Sequence, residues 1–198
     1  MTTLPVVLLL HYQNDVVHPQ GRIQVGLAKD DPARAKVLAS AERLLLGARR
    51  LGLPVIHGRV AYRTDFADLK QNAPIFRAVV ADGSVQEGTW GAEFYETMAP
   101  KEGPREFVVK HTRINVFFDS SLEPILCALD ATHLIVAGVS THSVVESTVR
   151  HAVDCGYHVS VAADACSSAR PHTHEASLDS MRLIAEISDV TTLLEVAS

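Results

Sequence analysis

The sequence predicts an α/β fold, a parallel sheet covered by helices on both faces. Pro5-Val6-Val7-Leu8-Leu9-Leu10 and Leu134-Ile135-Val136-Ala137 are unbroken apolar runs, which suit strands buried on both faces rather than strands with one wet side. Between such runs lie stretches whose apolar residues recur at helical spacing, so strands and helices alternate along the chain. Parallel strands joined by helices need right-handed crossovers, and these put helices on both sides of the sheet.

Composition limits what the fold can serve. The length of 198 residues suits one domain, 1–198, and 47% hydrophobic with 21% charged residues is ordinary for a globular chain with a sizeable core. A net charge of -5 argues against a nucleic-acid partner, since phosphate binding needs concentrated Lys and Arg. The densest basic group, Arg43, Arg49 and Arg50, reads as the solvated face of a helix. Three cysteines without Cys-x-x-Cys spacing, and no basic region ahead of the first apolar run, predict a cytoplasmic protein with reduced thiols. No stretch is long enough to span a bilayer, so no membrane partner is expected.

After the first strand, residues 31–51 read as a helix. Leu38, Ala41, Leu45 and Ala48 form its core stripe, Pro32 suits its first turn, and Gly52 stands just beyond its end. Pro54 to Gly58 is a second strand. From Thr64 to Gly103 periodicity is weak and Gly, Pro and Asp are frequent, which marks a long excursion expected to hold short helices. Arg105 to Lys110 reads as the third strand and Ser121 to Leu129 as a short helix. Gly156 to Cys166 is a fifth strand with Asp164 near its end. His174 to Ile187 then reads as the last helix and Asp189 to Val196 as an edge strand.

The stretch His133 to Thr148 joins a buried strand to a helix that carries Val145, Val149 and Ala152 on one face. Ser143 and Glu146 have capping-box spacing, so the helix is expected to start near Ser143 with the N–H groups of residues 143–145 free for a developing oxyanion.

This stretch resembles the signature of the isochorismatase-like hydrolases, the superfamily of nicotinamidases and N-carbamoylsarcosine amidohydrolase. Their amidase members read Gly-Val-x-Thr-x-x-Cys-Val-x-x-Thr, with the cysteine as nucleophile. Gly138 to Thr148 matches every framework position, but the nucleophile position is Val144. Where the family has Asp-x-Gln-Asn-Asp after the first strand, with the first aspartate as general base, this chain has His11-Tyr12-Gln13-Asn14-Asp15. Isochorismatases of the family also lack the cysteine, but they keep that aspartate. The resemblance assigns the catalytic lysine to Lys110, with Asn115, Phe117 and Phe118 filling the pattern that follows. It also places the Glu87-Gly88-Thr89-Trp90-Gly91-Ala92-Glu93 segment beside a substrate pocket or a subunit contact.

It further implies a three-layer α/β/α sandwich with a mostly parallel six-stranded sheet, a cis peptide between Val139 and Ser140, and assembly as a homo-dimer or tetramer. Metal-dependent nicotinamidases carry Asp-x-His after the second strand. Here Arg59-Val60-Ala61-Tyr62-Arg63 stands there, so neither a zinc site nor a cofactor is expected, and His172 and His174 read as a surface pair at a helix start.

Two functions follow from these residues. In the first, His11, Lys110 and the turn at Val144 converge on one pocket and hydrolyse a small carbonyl, amide or vinyl-ether substrate with water as nucleophile. Asp15, Trp90, Asn115, Phe118, Ser140, Thr141, His142 and Ser143 are then the candidate substrate contacts. In the second, the chain has kept the pocket as a small-molecule binding protein and lost the chemistry. Cys166 reads as buried packing, and His11, partly desolvated at the sheet rim, is expected to be neutral at pH 7.

Overall fold

A computed structural model describes residues 4–198 and places six strands in one sheet. They are β1 (Val6–Leu10), β2 (Val55–Val60), β3 (Glu106–His111), β4 (His133–Gly138), β5 (His158–Ala162) and β6 (Glu186–Ser188), in the order β3-β2-β1-β4-β5-β6. Every neighbouring pair is parallel. β1 is central and all five of its residues are buried, which is why it reads as a continuous apolar run. From β1 the chain builds outward to β2 and β3 on one side and, later, to β4, β5 and β6 on the other. The carboxyl ends of β1 and β4 therefore flank the switch point where an open sheet leaves a crevice.

The helices are α1 (Asn14–Val17), α2 (Arg34–Leu51), α3 (Pro74–Asp82), α4 (Leu122–Ala128), α5 (Glu146–Asp154), α6 (Pro171–Met181) and α7 (Val190–Val196). α2 and α7 pack together on one face, and α5 packs on the other beside α6. α2 buries Val37, Leu38, Ala41, Leu44, Leu45 and Ala48, and each fully buried leucine contributes about 1.5–3 kcal/mol. It stops at Gly52, whose φ of 67° lets its N–H close on the carbonyls of Ala48 and Arg49. Nothing surrounds that glycine, so the requirement there is conformational rather than steric.

The excursion between β2 and β3 does contain short helices. α3 builds a second small core from Val60, Tyr62, Leu69, Phe76, Val79 and Val85 over the end of β2.

Two expectations need correction. The carboxyl-terminal segment is a short edge strand at Glu186–Ser188 followed by a helix, not a helix to Ile187 followed by a strand. Pro171 starts α6 three residues earlier than expected. Asp189 caps α7 by accepting from Thr192 N at 3.0 Å, and Val190 and Leu193, three apart, bury on one face. The capping box at Ser143 does not form either. Residues 141–145 make a wide turn in which Val145 N donates to Ser140 O, and Glu146 turns its carboxylate to Ser177 Oγ (2.6 Å) and Arg150 (2.8 Å). The Val139–Ser140 peptide is cis. Among the described residues no helix is long and apolar enough to cross a membrane.

Candidate active site

The site is built at the carboxyl ends of β1, β2 and β3 and on the turn after β4. His11 follows β1 directly and keeps its N–H on Gly58 O (2.9 Å) while its φ moves to 61°, a left-handed conformation uncommon for a residue with a side chain. Its Nε2 lies 2.7 Å from Nε2 of His111, the last residue of β3, with the two rings only 14° from parallel. His111 is 1% exposed, and its Nδ1 is 2.8 Å from Arg113 O. Burial pushes His11 well below the ordinary histidine range, and the neighbouring His111 adds to the shift. Burial pushes His111 down to about 4, against the opposing pull of the Arg113 carbonyl. Both rings are uncharged at pH 7.

β3 is the strand whose alternation decides which residue reaches His11. Val109 and His111 are buried, whereas Lys110 between them is exposed and shares the face of Arg59, its partner in register on β2. Lys110 Nζ lies 3.4 Å from Glu87 Oε2, and Arg59 pairs with the same carboxylate. The strand-end group brought to His11 is thus His111, and Lys110 does not join the cluster. Period-two alternation was the available signal: a buried Val109 implies an inward His111 and an outward Lys110.

The turn after β4 supplies Ser140, Ser143 and Val144. They line, with His11, a cavity of about 70 Å³ that α3 and the segment around Ile23 and Val25 cover. Its other walls include Val16, Val60, Ile75, Phe76, Val79 and Val139, so it is overwhelmingly apolar. Among the described residues no carboxylate lines it, and Arg113 is the one charged residue in its wall at pH 7. Val144 is 1% exposed and occupies the turn position that the resemblance gives to the nucleophile. The N–H groups of Ser143 and Val145 both donate to Ser140 O at 3.3 Å.

The remaining candidates lie around this cavity rather than in its wall. Asp15 is 2% exposed and is held by backbone donors, Val85 N at 2.8 Å and Arg22 N at 3.2 Å. Gly91 is required beside it, because a Cβ there would sit 1.9 Å from Asp15 Oδ2. Gln13, buried, bonds Val60 and Ala92 and ties the exit of β1 to the same loops. Thr141 and His142 bond His174 Nδ1 (2.8 Å) and Ser168 Oγ (2.7 Å), which straps the turn to the start of α6. Trp90 is 46% exposed, meets the edge of His18, and lies with Asn14 in a separate surface depression. Asn115 Oδ1 accepts from Phe117 N (2.9 Å) in a local turn, and Phe118 is exposed in a shallow hollow outside Arg113. Cys166 is buried outside the cavity, and burial pushes its thiol up to about 12. Among the described residues no group of three or more His, Cys, Asp or Glu is placed to hold a metal ion.

The chain is 28% identical over 178 residues to maleamate amidohydrolase from Pseudomonas putida, covering 88% of this chain and 77% of the relative. It is 27% identical over 179 residues to ureidoacrylate amidohydrolase RutB from Caulobacter segnis, covering 83% and 73%. A probable inactive nicotinamidase from Arabidopsis thaliana is 36% identical over 103 residues, 52% of each chain. Among solved structures, an isochorismatase family protein from Desulfovibrio vulgaris superposes with a TM-score of 0.84 at 27% identity, covering 98% of both chains. The isochorismatase domain model matches residues 5–193, a span that takes in all six strands and both histidines of the pair, and the chain belongs to the isochorismatase family of hydrolases.

Proposed function

We propose that this chain hydrolyses a small molecule without a covalent thioester, using His11 as the base that activates water. The observation that carries this reading is the His11 ring, whose burial disfavours its charged form, at the head of an apolar cavity whose nucleophile position is filled by Val144. A neutral histidine accepts a proton from water without first having to lose one, and an apolar wall keeps competing water away. The water oxygen then adds to the substrate carbonyl carbon as His11 takes its proton. The cavity suits a compact and mostly apolar carbonyl, amide or vinyl-ether compound, and the names of the maleamate and ureidoacrylate amidohydrolases favour an amide. Lys110, held by Glu87, has no part in this scheme.

A second reading, a binding protein that has lost the chemistry, is favoured by Val144 and by the Ser143 and Val145 N–H groups being spent on Ser140 O rather than left for an oxyanion. A screen of small amides, carbamates and cyclic enol ethers, run beside thermal shift on the same compounds, separates the two. Turnover supports the hydrolase. A raised melting temperature without turnover supports the binding protein, because a ligand that prefers the folded chain stabilises it. Assembly as a homo-dimer or tetramer belongs to the same proposal, and light scattering in solution tests it.

A further inference from the structure

The hydrogen-bond chain that ends on the histidine pair begins at Arg113. Its carbonyl oxygen, 2.8 Å from His111 Nδ1, can only accept, so Nδ1 carries the proton. A neutral ring has one N–H, so His111 Nε2 is a lone pair. His11 Nε2, 2.7 Å away, must then be the donor, and His11 Nδ1 is the bare nitrogen. The opposite assignment would set two lone pairs or two N–H groups against each other at one of these contacts. With His111 buried, His11 half-buried against the cavity's apolar residues, and no carboxylate in the wall among the described residues, the pair rests with two protons.

The Arg113 side chain runs the other way. Its guanidinium lies 3.8 Å from the centroid of the Phe76 ring and donates to Lys70 O (3.0 Å) and Asn72 Oδ1 (2.8 Å). Phe76 is 4% exposed, and with Ile75 and Val79 it forms the part of α3 that roofs the cavity. One residue therefore holds the roof with its side chain and orients the His111 ring with its main chain.

The geometry points to Arg113 as a positioning residue that decides which nitrogen of His11 is the base and couples that choice to the closed roof. This rests on the hydrolytic reading of the same site. On attack, one O–H bond of water breaks and its proton goes to His11 Nδ1. The water oxygen bonds to the carbonyl carbon, and the C=O electron pair moves onto the carbonyl oxygen. The His11 Nε2 proton can pass to His111 Nε2, which moves the positive charge to the ring whose Nδ1–H faces the Arg113 carbonyl. The pair then holds three protons; as the oxygen's electron pair re-forms the C=O bond, the bond from that carbon to the leaving group breaks, and one proton passes to the leaving group, which restores two.

The test needs no substrate. Long-range 1H–15N correlation on histidine-labelled protein at pH 7 should show His111 protonated on Nδ1 only and His11 on Nε2 only. Asn72→Ala, at an exposed position that removes one bond to the guanidinium, and Arg113→Ala should each leave His111 in a mixture of tautomers. They should also speed amide exchange across α3, by about ten-fold for the arginine variant. Arg113→Lys, which can still donate to Lys70 O and Asn72 Oδ1, should keep one tautomer. A His11 ring protonated on Nδ1 overturns the proposal. So does an unchanged tautomer in both alanine variants despite faster exchange, which would leave Arg113 a structural residue only, or a metal ion found stoichiometrically on the two Nε2 atoms. Because resting tautomers are read directly, a substrate screen without hits sinks the hydrolytic reading and leaves this result standing.

Discussion

His57 on β2 and His111 on β3 sit on adjacent strands, each 1% exposed, and their surroundings could hardly differ more. His57 faces the α2 side, where its Nε2 lies 3.1 Å from Glu106 Oε2. The same carboxylate takes Arg49 Nε at 2.7 Å and Lys101 N at 2.8 Å. Burial would raise Glu106, but these donors, Arg49 foremost, hold it down at about 2. Burial lowers His57, against the pull of Glu106. His111 faces the cavity side with only His11 and one carbonyl for company. In the first region one carboxylate gathers a guanidinium, an imidazole and a backbone N–H, so the histidine is one link in a structural network. In the second, two imidazoles satisfy each other and leave one ring nitrogen for something else. The residue type is the same, and the company it keeps decides whether it holds the fold or offers chemistry.

The largest effect that would sharpen this contrast is on turnover. His11→Ala should lower it by about 10²–10⁴-fold, the usual contribution of a general base, while the melting temperature stays within a few degrees. His57→Ala should do the reverse, losing stability and keeping turnover within a few-fold. Wild-type turnover in His11→Ala would make His11 a packing residue. His11→Asp should not restore amidase chemistry unless Val144→Cys accompanies it, because no thiol is otherwise in place.

Next in size, Glu106→Gln should cost about 3 kcal/mol in urea unfolding, since it leaves Arg49 and His57 without their carboxylate. A loss below about 0.5 kcal/mol would show that the network contributes no more than an exposed ion pair.

The pH dependence separates His111 from Glu106 by window. His111 titrates near 4 in the folded chain and near 6.5 when unfolded, so the unfolded chain binds the proton first as pH falls. Stability present above 6.5 is therefore lost on going down to about 4, by roughly 3 kcal/mol from this group. Glu106, near 2 folded and 4.5 unfolded, adds a loss between 4.5 and 2. His111→Gln should lessen the upper loss, to which His11 and His57 also contribute, and Glu106→Gln should lessen the lower one. A single shared window in both variants would mean the regions are coupled.

The smallest expected effect is none. Native alkylation with iodoacetamide should label the exposed Cys127 and Cys155 and leave turnover intact, because Cys166 is buried with its thiol near 12. Inactivation that tracks labelling of Cys166 would promote that residue to nucleophile.

Much of this molecule was legible from the chain itself. The run Val6–Leu10 announced a central strand, Pro32 and Gly52 bracketed α2, and Gly138–Thr148 announced a strand-turn-helix, because each signal depends on neighbours a few residues apart. Even His111 was within reach through the alternation of β3. The carboxyl end misled because the β-branched Val190, Thr191 and Thr192 have strand propensity, and the Asp189 cap and packing against α2 make the segment a helix.

What tertiary structure alone decided is the company of the polar groups. His11 meets a partner 100 residues away, and Asp15 is claimed by an N–H 70 residues away. Lys110 turns to Glu87 because strand register sets it beside Arg59. Sequence determines periodicity, since side-chain direction repeats along a strand or helix. It does not by itself say which distant carbonyl, ring or carboxylate will stand opposite, and for a buried histidine that partner sets the charge, the tautomer and hence the role.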